Sequence, residues 1–312
     1  MFEWNMSVQK MLDCVEQNLT EPLTLEMLAG RLNYSPYYCT RQFHKYAGIS
    51  LRDYIRLRKV SSAVIDLRDT GERIIDIAVK YGFSSQEAFT RSFKSAYGMT
   101  PNEYRKMPRP LPLLAKRNVF DPYYLGLVVT NMEKDLTENI TVSIQVIPAH
   151  KFIGIRHIDA PGYWEFWKKE EEIHGRDRCS EIDGVLASIR NFNGMIGAWF
   201  YQDGKRGFMY GIEVPANYAG EIPGGMECVP VPESSYAVFH HPPYDYATME
   251  RSVGRALDKI IESWNPAEHS YQWDDSLPMY QRHNPLKYGQ AHLRALKKLK
   301  QECSKCRRPI NT

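Results

Sequence analysis

No apolar run in the 312 residues approaches the eighteen needed to cross a bilayer. The chain also does not open with the basic-then-apolar order of a secretory leader, so neither a membrane partner nor export is expected and the location is read as cytoplasmic. Cysteine is scarce, six in all, and without regular spacing, which excludes a disulfide scaffold. Cys303-x-x-Cys306 has no second pair and no neighbouring His, whereas a structural zinc normally takes four ligands. No metal is expected there. A phosphate-cradling glycine loop, a zinc-binding H-E-x-x-H and a Ser/His/Asp set are missing too, so neither a cofactor nor an enzyme is expected. Charge of one sign is lacking: the net value is only +3. The small excess lies toward the start, with 15 Lys and Arg against 12 Asp and Glu over residues 1–107, but 18 against 20 over residues 139–300. A polyanion would therefore have to be gripped by side chains placed on one face, not by bulk charge.

What the chain does have is a pattern written twice. Leu25, Leu28, Ala29 and Leu32 form one buried helical stripe, and Ile74, Ile77, Ala78 and Tyr81 repeat it forty-nine residues later. Each stripe ends in a residue that tolerates left-handed backbone, Asn33 or Gly82, followed by an aromatic and a serine. Ser35-Pro36 reads as an N-cap with proline at the first helical position, and Ser84-x-x-Glu87 as a capping box. Each copy continues Arg-x-Phe-x4-Gly, at Arg41 and at Arg91. This is helix-turn-helix spacing, duplicated. An earlier amphipathic helix carries Val8, Met11, Leu12 and Val15, and Thr100-Pro101-x-Glu103 starts a last one. Between the copies, residues 51–67 contain no Gly or Pro and read as a rod of about 25 Å at 1.5 Å per residue. Such a rod can hold two reading helices about one DNA turn apart, roughly 34 Å. Arg52, Arg56, Arg58 and Lys59 lie along it and are expected to be solvated for the most part, with one or two able to reach phosphate.

The outward faces of the second helices carry groove-reading chemistry. With Cys39 and Phe43 inward, Tyr37, Thr40 and Arg41 face out; with Phe89 and Phe93 inward, Glu87, Ala88, Thr90 and Arg91 do so, with Gln86 at the side. Arg can bond a guanine edge, Glu can accept from cytosine, and Ala or Thr can pack on a thymine methyl. Either Arg could instead grip a phosphate, and a capping Glu87 would be turned back on its own helix.

These motifs, above all Tyr81-Gly82-Phe83-Ser84 through Tyr97-Gly98-Met99-Thr100-Pro101-x2-Tyr104-Arg105, closely resemble the AraC/XylS family of bacterial transcription regulators over residues 7–107. The resemblance implies double-stranded promoter DNA and RNA polymerase as partners, with activation the commoner outcome. It implies a DNA-reading set of Tyr37, Tyr38, Thr40, Arg41, Gln86, Glu87, Ala88, Thr90 and Arg91; similar regulators carry Gln where this chain has Glu87.

After the alternating prolines 108, 110 and 112 and an apolar connector, periodicity becomes strand-like from Ile140. Strand, helix, strands recurs twice, giving an α+β unit with helices against one curved antiparallel sheet. Residues 288–300 are expected as a basic helical segment. On Pro148-Ala149-His150, Tyr236-Ala237-Val238-Phe239-His240-His241 and Pro278-Met279-Tyr280-Gln281-Arg282, this half resembles the GyrI-like effector-binding module. The fold class is thus multidomain: an all-α N-terminal domain with two helix-turn-helix motifs, then an α+β GyrI-like domain of two strand-helix-strand-strand repeats. The expected divisions are 1–107, a linker 108–138, 139–300 and a basic tail 301–312. The GyrI-like resemblance implies an amphipathic or aromatic effector in a groove between the repeats. The aromatic load of this half is core packing by default, but it also offers a groove lining of Trp164, Trp167, Trp199, Tyr210, Tyr236, Phe239 and Tyr280, with Gln281. Glu165 and Glu213 are further polar candidates. The carboxylate common in such grooves is Gln281 here. His150, His240 and His241 are read as structural, although hydrolysis of a small molecule and sequestration of a partner protein are alternative uses of the module.

Overall fold

The computed structural model describes residues 6–116, 136–202, 205–285 and 287–299. The first part is helical: α1 Met6–Gln17, α2 Leu25–Leu32, α3 Pro36–Ala47, α4 Leu51–Asp69, α5 Ile74–Lys80, α6 Gln86–Tyr97 and α7 Pro101–Lys106. Two cores form around α4. Leu51 and Tyr54 at its start join Val8, Met11, Leu12, Val15, Leu28, Cys39 and Phe43. Val60, Ala63, Val64 and Leu67 further along join Ile77, Tyr81, Phe89, Phe93 and Tyr104. The rod is therefore a shared wall, and its two halves are buried by different motifs.

The charges on α4 divide in a way the sequence reading did not anticipate. Arg52 is exposed and Arg56 makes a half-exposed pair with Asp53, but Arg58 and Lys59 turn inward. Arg58 donates to both oxygens of Glu16 on α1 at 2.7 Å and to the carbonyl of Leu114. Lys59 is buried and donates to the Glu21 carbonyl at 3.0 Å. Both cations are spent tying the first motif and the connector to the rod, where an unpaired charge would be costly.

The second part is a nine-stranded antiparallel sheet, β1 Thr141–Ile147, β2 His150–His157, β3 Met195–Gln202, β4 Lys205–Pro215, β5 Glu227–Val231, β6 Ser234–His241, β7 Tyr271–Trp273, β8 Met279–Asn284 and β9 Gly289–Lys298. Three helices accompany it: α8 Tyr163–His174, α9 Cys179–Ser188 and α10 Tyr246–Ser263. The strand order β1-β6-β9-β8-β3-β4-β2-β5 contains the expected duplication. One repeat, β2-α8-α9-β3-β4, lies in space as β3-β4-β2; the other, β6-α10-β8-β9, lies as β8-β9-β6. The two meet at the β3–β8 ladder. The strands preceding each repeat are exchanged, for β1 pairs with β6 and β5 with β2.

Residues 289–298 correct the helical expectation for the chain's last described segment. Leu and Lys favour helix, but Ala291, Leu293 and Ala295 are buried at a spacing of two while His292 and Arg294 are half-buried. A place between β6 and β8 turns that alternation into a central strand, and context outweighs propensity. The Cys303/Cys306 tail and most of the expected linker fall outside the described residues.

The connector and α9 join the two parts. Arg68 at the end of α4 donates to the carbonyls of Ala187 and Ser188 at 3.1 and 2.7 Å, a cation on a helix C-terminus. The Leu111 N–H donates to Ser188 Oγ, while Leu111 and Leu113 are buried in the second helical core.

Candidate nucleic-acid interface and effector module

Both helix-turn-helix corners close by the same backbone bonds. Tyr34 N–H donates to Ala29 O and Phe83 N–H to Ala78 O, each at 2.9 Å. The left-handed residues are the expected ones, Asn33 at φ 56° and Gly82 at φ 71°. At Gly82 a Cβ would also meet the Lys59 ammonium at 3.1 Å, so glycine serves both the turn and the packing. Small Ala29 and Ala78, whose carbonyls accept these corner bonds, are both buried.

The reading helices start one residue apart in design. Ser35 caps α3, accepting the Tyr38 N–H at 3.1 Å, with Pro36 first in the helix. For α6 the cap is Ser85, not Ser84: its side chain accepts the Ala88 N–H at 3.2 Å and its backbone is extended. That places Ala88, not Glu87, at the third helical position, so the expected capping box does not form. Glu87 instead stays exposed, held below the ordinary carboxylate range by the Ser85 hydroxyl, its own N–H and the Arg91 charge. A true capping box forms at α7 between Thr100 and Glu103.

Tyr37, with 74% of its surface exposed, lies on the outer face of α3 with exposed Thr40 and Arg41. Arg41 makes no hydrogen bond or ion pair among the described residues. Tyr38 differs: it is half-buried, packs on Tyr34 at 5.1 Å and has its hydroxyl 3.2 Å from Ser7 Oγ. On α6, Gln86, Glu87 and Arg91 are exposed, and Ala88 and Thr90 half-exposed, over buried Phe89 and Phe93. Each surface thus offers a cation and polar groups on a capped helix, and α6 adds the small Ala88.

In the second part the eight aromatic and polar candidates do not share one surface. Tyr236 and Tyr280 are buried on one face of the sheet, with Phe152 and Leu293. Tyr210 and Trp199 lie on the other face beneath α8, which supplies Trp167, and Phe239 lies under α10. Trp164 packs edge-on against Tyr163 at the start of α8. Gln281 sits at the central ladder opposite Gly197, whose missing side chain admits the Phe208 ring. Glu165 is exposed. Glu213 is buried and already neutralised: Arg282 donates to both its oxygens at 3.1 and 2.8 Å, and Asn193 adds a third bond. His150 Nδ1 faces the Pro148 carbonyl at 2.8 Å and so carries the proton, leaving Nε2 to accept from Tyr280 at 2.8 Å. His240 meets the Tyr288 carbonyl and His241 the Pro242 carbonyl, each at 2.7 Å. No group of three His, Cys, Asp or Glu among the described residues could hold a metal ion.

Asp183 is the carboxylate that the sequence reading passed over. It lies on α9, accepts the Tyr210 hydroxyl at 2.8 Å and faces the Cys179 thiol. Burial pushes its pKa up to about 6, and the signal in the sequence was an acid flanked by Ile182, Gly184, Val185 and Leu186.

A helix-turn-helix domain model matches residues 28–107, and an integron-associated effector binding protein model matches residues 186–293. The multiple antibiotic resistance protein MarA of Escherichia coli is 39% identical over 100 residues, which are 32% of this chain and 79% of MarA. The chain belongs to the AraC/XylS family. The right origin-binding protein of Escherichia coli is 38% identical over 101 residues, 32% of the regulator but only 35% of that longer protein. The C-terminal domain of AraT from Geobacillus stearothermophilus is 30% identical, covering 33% of the regulator and 87% of that chain at a TM-score of 0.33. The regulator is thus a DNA-binding transcription regulator that carries a GyrI-like effector-binding domain, in the order DNA-binding unit first. No helix among its described residues is long and apolar enough to cross a membrane.

Proposed function

We propose that this regulator is a cytoplasmic activator of transcription that reads promoter DNA with α3 and α6, engages RNA polymerase, and is controlled by a small amphipathic or aromatic effector. The working units are residues 1–107 for DNA and 139–300 for the effector, joined by 108–138, with 301–312 as a basic tail. Tyr37, Thr40 and Arg41 read one groove segment; Gln86, Glu87, Ala88, Thr90 and Arg91 read the next. Tyr38 steadies α3 from behind. The effector unit acts by binding, not by turnover. One observation carries the DNA reading: two matched, capped helices, each with an unburied arginine face, are fixed to a single unbroken rod, α4.

The test starts from a duplex of about 20 base pairs, two helical turns, recovered from a randomised pool by the full chain. Arg41→Ala and Arg91→Ala should each weaken its binding by about 1–3 kcal/mol in gel-shift titrations at fixed salt, without change in melting temperature. Both arginines lie outside the cores, so the fold should survive. Unchanged affinity in both variants would refute the assignment.

A further inference from the structure

A cavity of about 810 Å³ lies between the helical part and the sheet part. Its helical wall includes Tyr46 near the end of α3, Leu57 at the middle of α4 and Tyr97, the last residue of α6. Both DNA-reading helices therefore end at this cavity, and the rod that spaces them forms its floor. The opposite wall is α8 and α9, with Trp164, Trp167, Glu171 and Asp183. The volume suits a drug-sized molecule, and several aromatic side chains line it together with charged and polar ones.

The polar groups define what would fit. The bordering cations Lys116, Lys168 and Arg176 are all paired, to Asp13 at 2.8 Å, Glu172 at 3.9 Å and Glu181 at 2.6 Å. The carboxylates of Glu171, Asp177 and Asp183 have no cationic partner among the described residues; Asp183 receives only a tyrosine hydroxyl and a thiol, and Asp177 the Cys179 N–H. The uncompensated charge at the cavity is negative. The indole N–H of Trp167, another residue of this wall, is buried and lacks a hydrogen-bond partner among the described residues. An aromatic body and a basic nitrogen together answer the aromatic walls and the uncompensated negative charge.

We infer that the cavity is a ligand site shared by both units, taking an aromatic amine, and that its occupant acts on DNA binding by contacting the ends of α3 and α6 directly. The inference rests on the effector-regulated reading above and gives that reading a location: the interface between the units, not a groove within the sheet domain. Because binding free energies are linked, DNA and ligand must shift one another's affinity by the same factor.

Dansylcadaverine, an aromatic amine with sulfonyl acceptors, is the probe, and dansylglycine is its acidic counterpart with the same fluorophore. The full chain should enhance dansylcadaverine emission and bind dansylglycine at least about tenfold more weakly. Trp164→Ala on one wall and Leu57→Arg on the other should each lower dansylcadaverine affinity at least about tenfold. Tyr46→Ala serves as a second helical-wall variant if Leu57→Arg does not fold. Saturating the protein with the selected duplex should change probe affinity about fivefold or more. Absence of binding, no preference for the amine, or no effect of DNA would overturn the inference. Binding that resists both helical-wall variants would place the site within the sheet domain, overturning the shared site while leaving effector control intact. Failure of the chain to select any duplex would count against the DNA reading itself.

Discussion

Asp183 shows how a single carboxylate can report on the interface between the units. Its pKa of about 6 exceeds the ordinary aspartate value because burial disfavours the charged form, and the neighbouring Tyr210, Cys179 and Asp177 provide no positive charge to offset it. The folded protein therefore holds this proton more tightly than the unfolded chain does. Asp183 adds most to stability below about pH 4, and that contribution disappears as pH rises through about 6. Asp183→Asn keeps an oxygen for the Tyr210 hydroxyl but cannot ionise. The variant should be more stable than the parent at pH 7, and the gap between them should narrow steadily as pH falls from 7 to 4. Urea melts at several pH values read this directly, and a constant gap would show that Asp183 titrates as a solvated acid does.

At the scale of elements, the helical part was legible nearly to the residue because its signals are local. Stripe, left-handed corner, cap and arginine all lie within one short window, and each copy checks the other. The cap of α6 slipped because Ser84 and Ser85 are chemically the same; only backbone geometry decides between them, and it gives Ser85 the extended conformation and the Ala88 N–H. Ser85→Ala should therefore cost about 1 kcal/mol in urea unfolding and Ser84→Ala only a few tenths, since Ser84 is exposed and caps nothing. Equal losses would contradict the cap assignment. The sheet was legible as a repeat but not as a surface. Alternation tells that Tyr236 and Phe239 lie on opposite faces, whereas which face carries helices depends on connections between distant strands. The same limit hid β9, whose Leu and Lys content spoke for helix until two neighbouring strands bracketed it. Arg58 and Lys59 were misread for a related reason: their partners Glu16, Glu21 and Leu114 lie about forty or more residues away in the chain.

At the scale of the molecule, the question is what makes two units respond as one, and Gly184 offers the sharpest answer. It lies inside α9, where alanine would ordinarily stabilise the helix by about 1 kcal/mol relative to glycine. Here a Cβ would fall 1.8 Å from the Leu113 carbonyl oxygen and 2.9 Å from its carbon, both backbone atoms that cannot rotate aside. Glycine at this point lets the connector lie flat on α9, and that contact holds Leu111 and Leu113 in the second helical core and sets the Leu111 bond to Ser188. Gly30 in α2 makes the control, because nothing lies within 4 Å of its added Cβ. Gly30→Ala should stabilise the protein by up to about 1 kcal/mol, while Gly184→Ala should destabilise it by about 1–3 kcal/mol. The two effects differ in kind as well as sign. Gly184→Ala forces the connector off α9, so thermal unfolding should separate into two transitions and proteolysis between residues 107 and 116 should quicken. Binding of the selected duplex should persist, since the packing of α3 and α6 on α4 and on their partner helices is unchanged, but its linkage to a ligand in the shared cavity should weaken. A Gly184→Ala protein that melts in one transition at the parental temperature would mean that α9 and the connector do not hold the two units together.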